Sequence, residues 1–206
     1  MFITFEGLDF CGKSTQVELL KNYFEKNGAS VKIIREPGGV KISEKIRDVL
    51  LDNKNAEMFD ETELLLFSAS RSQLVREKII PFLNSGNIVI SDRFHDSSIA
   101  YQGFGRGINT DFVIQLQKFA IGDAVPDLTF FIDIPIEEVL KRKSKVSVSA
   151  LDRIEVSKND FYEKVRHGYK YLVENEERFI QINGLSTIEE IHKNIIEEIK
   201  KYEGKK

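Results

Sequence analysis

The sequence is poor in cysteine and has no long apolar segment. Cys11 is the only cysteine, so no disulfide can form within the chain, and this usage fits a protein of the reducing cytoplasm. No apolar run approaches the roughly 20 residues that a membrane-spanning helix needs, which argues against a membrane as partner. A strand is predicted from Phe2 onwards, and we therefore expect no signal peptide.

The chain also lacks a strong excess of charge of either sign. Lys and Arg together number 30 and Asp and Glu 33, which gives a net charge of −3. This balance argues against nucleic acid as a major partner, and the three histidines show no spacing typical of a metal site. A length of 206 residues with 41% hydrophobic and 31% charged residues is typical of a globular protein with one full core. Since no repeat or linker interrupts it, we expect residues 1–206 to form a single domain.

The most informative segment follows the first predicted strand. Residues 7–14 read Gly-Leu-Asp-Phe-Cys-Gly-Lys-Ser, which fits the phosphate-binding pattern G-x-x-x-x-G-K-S. The backbone N–H groups of such a loop cradle phosphate oxygens at a helix N-terminus. Lys13 then reaches the β- and γ-phosphates, and the Ser14 hydroxyl ligates Mg²⁺. The motif predicts phosphoryl chemistry of a nucleoside triphosphate and leaves the acceptor of the phosphoryl group open.

Apolar strand patterns alternate with helical patterns along the whole chain. The predicted strands are Phe2–Glu6, Val31–Arg35, Ile88–Asp92, Leu128–Asp133 and Phe179–Asn183. The predicted helices are 13–26, 42–51, 61–83 with a break near Pro81, 97–101, 111–120, 136–142, 158–174 and 187–201. This alternation predicts an α/β fold with a five-stranded parallel sheet and helices on both faces. Ligands then bind at the carboxyl ends of the strands.

Two acidic residues end predicted strands and compete for the role of metal ligand. Asp92 ends the predicted strand Ile88–Asp92, and Asp133 ends the predicted strand Leu128–Asp133. An acid at the end of a buried strand can hold Mg²⁺ directly or through water. Arg93 next to Asp92 can pair with phosphate, so the pattern favours Asp92 for the metal and a structural role for Asp133.

Further motifs resemble those of the bacterial thymidylate kinase family. They run in order through nearly the whole chain: Phe-Glu-Gly-Leu-Asp at 5–9, Gly-Lys-Ser-Thr-Gln at 12–16, Arg-Glu-Pro-Gly-Gly at 35–39, Glu-Lys-Ile-Arg at 44–47, Phe-Ser-Ala-Ser-Arg at 67–71, Asp-Arg at 92–93, Ala-Tyr-Gln-Gly-Phe-Gly-Arg-Gly at 100–107, Pro-Asp-Leu-Thr at 126–129 and Asp-Arg-Ile-Glu at 152–155. The Arg-Glu-Pro-Gly-Gly and Ala-Tyr-Gln-Gly blocks are the most specific. The resemblance implies the fold of a P-loop kinase and transfer of the γ-phosphoryl group of ATP to dTMP, giving dTDP and ADP, with Mg²⁺ as cofactor.

The same resemblance implies a dTMP site made of Asp9, Glu36, Pro37, Arg47, Phe67, Arg71, Arg93, Ser98, Tyr101 and Gln102. In it, Arg47 and Arg93 hold the acceptor phosphate, Phe67 stacks on thymine, and Arg71 hydrogen-bonds the base. Ser98 and Gln102 complete recognition of base and sugar, Tyr101 packs where a 2′-hydroxyl would crowd it, and the Glu36–Pro37 bond is expected to be cis. From the residues alone, Arg47 suits a solvated helix face and Phe67 a core position equally well.

For ATP, the resemblance implies a site made of Gly7, Leu8, Asp9, Phe10, Cys11, Gly12, Lys13, Ser14, Thr15 and Arg142, with Ser14 and Asp92 as metal ligands. Residues 141–155 are expected to form a mobile lid, in which Arg142 stacks on adenine. Some relatives carry an arginine at the position of Phe10, so here the lid must supply the catalytic cation, either Arg153 or Lys145. The catalytic residues implied are Asp9, Lys13, Arg93 and Arg153.

Several alternatives stay open at this point. A related kinase that acts on dUMP, AMP or GMP fits the phosphate loop, whereas a GTP-hydrolysing switch usually carries an Asn-Lys-x-Asp motif that the sequence lacks. The family is homodimeric, and the apolar faces of helices 42–51 and 61–83 are candidates for the interface. Cys11, beside Lys13 at a helix N-terminus, is predicted to be a reactive thiol, and the alternative is a small buried apolar residue that no reagent reaches.

Overall fold

Five parallel strands form one sheet in the computed structural model, which describes residues 1–147, 151–155 and 159–204. The strands lie in the order β2-β3-β1-β4-β5. Their bounds are β1 Phe2–Glu6, β2 Val31–Arg35, β3 Ile88–Asp92, β4 Leu128–Asp133 and β5 Phe179–Asn183. All five agree with the strands predicted from the apolar runs, and the α/β fold class is confirmed.

The inner strands are buried on both faces, as their near-continuous apolar sequence predicts. Every residue of β1 is buried, and the polar side chains within it are paired. Thr4 and Thr129 share a hydrogen bond of 2.8 Å between their Oγ1 atoms. Glu6 accepts from the backbone N–H of Phe94 and from the hydroxyls of Ser97 and Tyr169. The sheet therefore carries polar groups into the interior only where they have partners.

The helices also lie close to their predicted bounds. They are α1 Lys13–Lys26, α2 Lys41–Leu51, α3 Asp60–Leu74, α4 Ile80–Asn84, α5 His95–Ser98, α6 Thr110–Ile121, α7 Ile136–Lys143, α8 Asn159–Asn175 and α9 Ile188–Glu203. A 3₁₀ turn spans Asn53–Asn55, and π-helical segments span Val75–Ile79 and Ile99–Gly105.

The long helix predicted over 61–83 is divided by the π-helical segment Val75–Ile79 and not at Pro81 itself. Pro81 lacks an N–H group and cannot bond to the carbonyl four residues before it. The wider turn ahead of it lets the chain pass this proline while remaining helical, with Pro81 in the first turn of α4.

Two helical layers cover the sheet. The chain moves one way from β1 to β2 and the opposite way from β2 to β3 and onwards to β5, so right-handed crossovers place the connecting helices on opposite faces. In agreement, α1 packs against α9, while α3 packs against α6 and α8 packs against the segment Ile99–Gly105. The connections that leave the neighbouring strands β1 and β3 run in opposite directions, and a ligand cleft is expected at the carboxyl ends of these two strands.

No helix among the described residues is both long enough and apolar enough to cross a membrane.

Candidate functional site

A cleft of about 280 Å³ lies at the carboxyl ends of β1, β2 and β3. It brings together most of the residues that the sequence nominated: Asp9, Phe10, Lys13, Ser14, Glu36, Pro37, Arg47, Phe67, Arg71, Asp92, Arg93, Ser98, Tyr101 and Gln102. The lining does not include Gly7, Leu8, Cys11, Gly12, Thr15, Arg142 or Arg153. We divide the site into a donor half, formed by the phosphate loop at residues 7–15 with the adjacent Asp92 and Arg142, and an acceptor half, formed by cleft residues on α2, on α3, at and after the end of β2, and in the segment 93–102.

The phosphate loop takes the backbone path that its glycines allow. Gly7 has φ 140° and Gly12 has φ 101°, values that side chains rarely tolerate. A Cβ at Gly7 would lie 2.7 Å from the carbonyl oxygen of Ile132, so this position also needs glycine for space. The loop ends at the N-terminus of α1, and Lys13 folds back over it, donating from Nζ to the carbonyls of Gly7 (3.1 Å) and Leu8 (2.9 Å).

Ser14 and Asp92 lie side by side at the mouth of the donor half. The Ser14 hydroxyl donates to Asp92 Oδ2 at 2.7 Å, so a hydroxyl and a carboxylate converge on one point. Oxygen ligands of this kind suit Mg²⁺, which usually takes one or two protein carboxylates together with phosphates and waters. Asp133, the competing acid, is bound instead by Arg166 at 2.6 and 3.0 Å and by Gln181 at 3.0 Å. Its geometry therefore agrees with the structural role predicted for it.

Arg93 links the two halves of the cleft. Its backbone has φ 66°, and its side chain donates to Asp9 Oδ1 at 2.5 Å and to the hydroxyl of Tyr101 at 3.0 Å. Burial acts to raise the pKa of Asp9, but Arg93 and Lys13 outweigh it, so that the pKa of this carboxyl lies below its ordinary value. Asp9 therefore remains a carboxylate at neutral pH, with Arg93 fixed against it.

Arg71 is a deeply buried charged group of the acceptor half, with 1% of its side chain exposed. It donates to Glu36 Oε2 (2.7 Å), Ser98 Oγ (2.9 Å), Gln117 Oε1 (2.5 Å) and the carbonyl of Phe94 (3.1 Å). Its orientation is thus set by the protein itself.

Glu36 pairs with Arg71 through only one of its carboxylate oxygens. The other oxygen, Oε1, is buried and has no hydrogen-bond partner among the described residues. Burial raises the pKa of Glu36 to about 7, against the opposing effect of Arg71. The Glu36–Pro37 peptide bond is cis, which confirms the isomer predicted from the Arg-Glu-Pro-Gly-Gly motif.

The two residues for which the sequence left alternatives open both reach the cleft. Arg47 lines it and donates to the carbonyl of Pro37 at 2.8 Å, so this arginine does not lie on a solvated helix face. Phe67 lines the cleft and also packs against the main hydrophobic core. Its ring therefore has both a core contact and a face open to a ligand.

Sequence reasoning missed a buried ionic cluster centred on Glu63. This carboxylate is fully buried and accepts from Gln102 (2.9 Å), from Arg106 (3.1 and 3.2 Å) and from Arg153 (2.6 Å). Glu63 lies four residues before Phe67 and eight before Arg71 on α3, and this i, i+4 spacing was the signal that could have placed it on the same face.

The two arginines predicted for the lid take different positions. Arg142 donates to Glu138 (2.8 Å) and to the carbonyl of Phe10 (3.0 Å), which places it beside the phosphate loop. Arg153 donates to Glu63 and to the carbonyl of Leu50 (2.8 Å) and lies outside the cleft lining. The arrangement favours the structural alternative for Arg153 over a catalytic one. The part of the predicted lid at 148–150 lies outside the described residues.

Cys11 is buried, with 2% of its surface exposed, and Lys13 Nζ lies 3.6 Å from its sulfur. This burial agrees with the alternative reading of Cys11 as a small buried apolar residue, because the turn of the loop directs the side chain into the core.

Comparisons with known proteins agree with this geometry. The profile of the thymidylate kinase family matches residues 5–195. The chain is 46% identical over 202 residues to a protein named thymidylate kinase from Thermoanaerobacter pseudethanolicus, with 98% of each chain covered. It is 46% identical over 199 residues to a thymidylate kinase from Kosmotoga olearia, covering 96% of this chain and 94% of the relative. A thymidylate kinase from Chlorobaculum parvum is 45% identical over 204 residues, covering 95% and 94%.

Proposed function

The chain belongs to the thymidylate kinase family, and we infer from this membership and from the cleft that it transfers the γ-phosphoryl group of ATP to dTMP. The products are dTDP and ADP. One observation carries the inference: a phosphate loop and a buried Arg71–Glu36 pair line the same cleft, with Arg93 between them. The cleft therefore offers a site for a triphosphate next to a site built for an uncharged base and its phosphate.

In the donor half, residues 7–15 hold the phosphates of ATP through backbone N–H groups and through Lys13. Arg142, held beside the loop by its bond to the Phe10 carbonyl, stacks on adenine. Ser14 and Asp92 would hold Mg²⁺, and the ion would supply positive charge that offsets the negative charge of the ATP phosphates. The 2.7 Å contact between these two side chains supports the assignment.

In the acceptor half, the hydrogen bonds already made decide which atoms face the base. Ser98 Oγ accepts from Arg71, so its own O–H is left to donate to a carbonyl oxygen of thymine. Gln102 uses its amide N–H to donate to Glu63, so its carbonyl oxygen is left to accept from the N3–H of thymine. Phe67 supplies a stacking face, and Arg71 acts on the base directly and through Ser98.

The acceptor phosphate lies between Arg47 and Arg93, and Tyr101 packs under the deoxyribose. The bonds from Arg93 and Tyr101 to Asp9 fix these groups relative to the phosphate loop. An oxygen of the dTMP phosphate then attacks the γ-phosphorus in line, the bond from that phosphorus to the β-γ bridging oxygen breaks, and ADP leaves. Since the nucleophile is already an anion at neutral pH, the residues position the reactants and stabilise charge, and no general base is needed.

A lid cation completes the site. Arg153 is engaged by Glu63 and the carbonyl of Leu50, whereas Lys145 is exposed and lies in the same lid. We therefore assign the catalytic charge to Lys145 and an anchoring role to Arg153. We propose that residues 1–206 form a single domain with a lid at about 141–155.

We also propose that the enzyme is a cytoplasmic homodimer. Large apolar side chains are exposed on neighbouring helices, with Ile42 and Val49 on α2, Leu65 on α3 and Phe119 on α6. Exposed apolar residues that lie close together mark interaction surfaces, and a second copy of the chain covers them here. The nucleotide substrates and the single cysteine fit a cytoplasmic location.

The function is tested by incubating the enzyme with ATP, Mg²⁺ and each of dTMP, dUMP, AMP and GMP, and by measuring both ADP and the nucleoside diphosphate formed from the acceptor. We expect dTMP to give the highest kcat/KM and one dTDP for each ADP. A preference for AMP or GMP would show a different monophosphate kinase, and slow nucleotide hydrolysis without transfer to any acceptor would show a nucleotide switch.

A further inference from the structure

Phe10 occupies a backbone conformation that a bulky residue seldom adopts. Its φ is 65°, and Arg93 is the other non-glycine residue with positive φ among the described residues. This left-handed region is unfavourable for side chains with a Cβ, and glycine is the usual residue there. For Arg93 the conformation aims a guanidinium at Asp9 and Tyr101. Phe10 has only a ring to present, so the question is what that ring does.

The ring lies at the junction of the phosphate loop, the acceptor half and the lid. It lines the cleft together with Lys13 and Ser14 of the loop and with Ile154 of the lid. It is half-buried and packs against the main hydrophobic core on its other side. The backbone of Phe10 is held by Arg142, which donates to its carbonyl at 3.0 Å. The ring is thus an apolar surface beside the phosphate loop, in a part of the cleft that also holds the charged side chains of Asp9, Lys13 and Arg93.

An apolar surface at this place bears on a competition between two nucleophiles. The γ-phosphorus of bound ATP can be attacked by an oxygen of the acceptor phosphate or by water. Attack by water forms a bond from the water oxygen to phosphorus, breaks the bond to the β-γ bridging oxygen, and yields ADP, inorganic phosphate and a proton. Excluding water from the site suppresses this side reaction.

We propose that the Phe10 ring keeps water away from the γ-phosphoryl group, so that ATP is consumed only when the acceptor is bound. This role rests on the proposed function, because it concerns the fate of the same phosphoryl group. Phe10 then acts as a specificity-determining residue that discriminates between dTMP and water. Its strained backbone is the cost of directing a ring into the cleft from a loop position where glycine would be relaxed.

The test compares the parent enzyme with Phe10→Gly, Phe10→Ala and Phe10→Leu. Phe10→Gly removes both the ring and the strain, Phe10→Ala removes the ring but keeps a Cβ at positive φ, and Phe10→Leu keeps apolar bulk. Two quantities are measured with ATP and Mg²⁺: the rate of inorganic phosphate release without dTMP, and the ratio of dTDP to ADP at saturating dTMP.

We expect Phe10→Gly and Phe10→Ala to release phosphate about tenfold faster than the parent without dTMP and to make less than one dTDP for each ADP. Phe10→Leu, which keeps part of the apolar bulk, should release phosphate more slowly than Phe10→Ala and give a dTDP to ADP ratio closer to one. A ring that only packs against the core would change stability or overall turnover and leave the dTDP to ADP ratio at one.

Three results would overturn the proposal. One is parental phosphate release in both Phe10→Gly and Phe10→Ala. Another is faster release in Phe10→Gly alone, which would assign the effect to a relaxed backbone. The third is loss of ATP binding in both variants, which would make the ring part of the ATP site as a whole. If the parent enzyme itself makes no dTDP, the proposed function fails, and the phosphate-release comparison still reports on the ring.

Discussion

The two halves of the cleft are held in place by different means. The acceptor half is built from buried charges with several partners each, such as Arg71, which has four protein acceptors and 1% of its side chain exposed. The donor half relies on the backbone path of the phosphate loop, against which Lys13 is buried. Two of its other polar side chains are more open, since Ser14 is exposed and Arg142 has 31% of its side chain exposed.

This difference has energetic consequences. Removing one partner from a buried ion pair leaves an uncompensated charge in the interior and strongly destabilises the fold. Removing an exposed charge changes stability by little. We therefore expect changes in the acceptor half to affect stability as well as dTMP binding, and changes in the donor half and the lid to affect ATP binding or turnover in a protein that remains folded.

The largest effect should come from the lid cation. Lys145→Ala is expected to lower kcat by roughly a thousandfold, near the lower end of what a catalytic arginine contributes elsewhere, with little change in the KM for dTMP or in Tm. Lys141→Ala on α7 removes an equal exposed charge and serves as the control.

Arg153→Ala should instead lower Tm, since its guanidinium pairs with buried Glu63. Steady-state kinetics and thermal unfolding of Lys145→Ala, Lys141→Ala and Arg153→Ala decide which residue supplies the catalytic charge. A thousandfold loss of kcat in Arg153→Ala with an unchanged Tm would return the catalytic role to the arginine.

The second prediction concerns the fold itself. Glu63→Ala leaves Arg106 and Arg153 without their buried partner, and we expect a loss of about 3–5 kcal/mol in the free energy of unfolding. For a chain of this size, the corresponding fall in Tm is roughly 10 °C. Glu61→Ala, two residues away on the exposed side of α3, should change the free energy by less than about 0.5 kcal/mol. Equal urea midpoints for the two variants would contradict the account.

The third prediction concerns pH. Burial raises the pKa of Glu36 from 4.5 to about 7, so the folded protein holds this proton over a pH range in which the unfolded chain has lost it. The stability gained from this proton is fully present below pH 4.5 and is lost as pH rises through 7. Glu36→Gln has no proton to lose at this position, so its free energy of unfolding should shift relative to that of the parent by up to about 3 kcal/mol in its favour between pH 4.5 and pH 8. This shift adds to a pH-independent loss from replacing the charged partner of Arg71.

Urea unfolding of the parent, Glu36→Gln and the exposed control Glu25→Gln at pH 5, 6, 7 and 8 measures this difference. If the free energies of unfolding of the parent and Glu36→Gln differ by the same amount at all four pH values, Glu36 is already ionised at pH 5 through its pairing with Arg71.

The smallest expected effect concerns Cys11. Because its side chain is 2% exposed, iodoacetamide should leave it unmodified in the folded enzyme, with activity retained. Mass spectrometry of treated protein, with a urea-unfolded sample as the control, measures this. Rapid modification of the folded enzyme, with ATP protecting, would show that the loop opens more readily than its packing suggests.

Much of the fold and the donor half followed from local sequence patterns. Strand bounds are encoded by short apolar runs, and the phosphate loop by glycines at fixed spacing, so both were predicted from the sequence. The pattern also favoured Asp92 over Asp133, in agreement with the contact between Asp92 and Ser14 and the pairing of Asp133 with Arg166.

The buried partners could not be predicted in this way. Glu63 and Arg153 are 90 residues apart in sequence and 2.6 Å apart in space, and no local pattern reports such a pairing. Likewise, the motif marks Arg71 as a base-binding residue, but its bonds to Glu36 and Gln117 depend on how three separate elements pack. The candidate site residues were thus nominated by motif, whereas what holds them in place required the structure.

The most direct test of the two-half account is to measure KM for both substrates in Arg71→Lys and Arg142→Ala side by side. Arg71→Lys keeps a positive charge against Glu36 but cannot bond to all four present acceptors. A hydrogen bond to a charged group contributes about 1.5–3 kcal/mol, roughly ten- to hundredfold in affinity. The account predicts that Arg71→Lys raises the KM for dTMP by this factor with an unchanged KM for ATP, and that Arg142→Ala does the reverse. Equal changes in both KM values in both variants would contradict it.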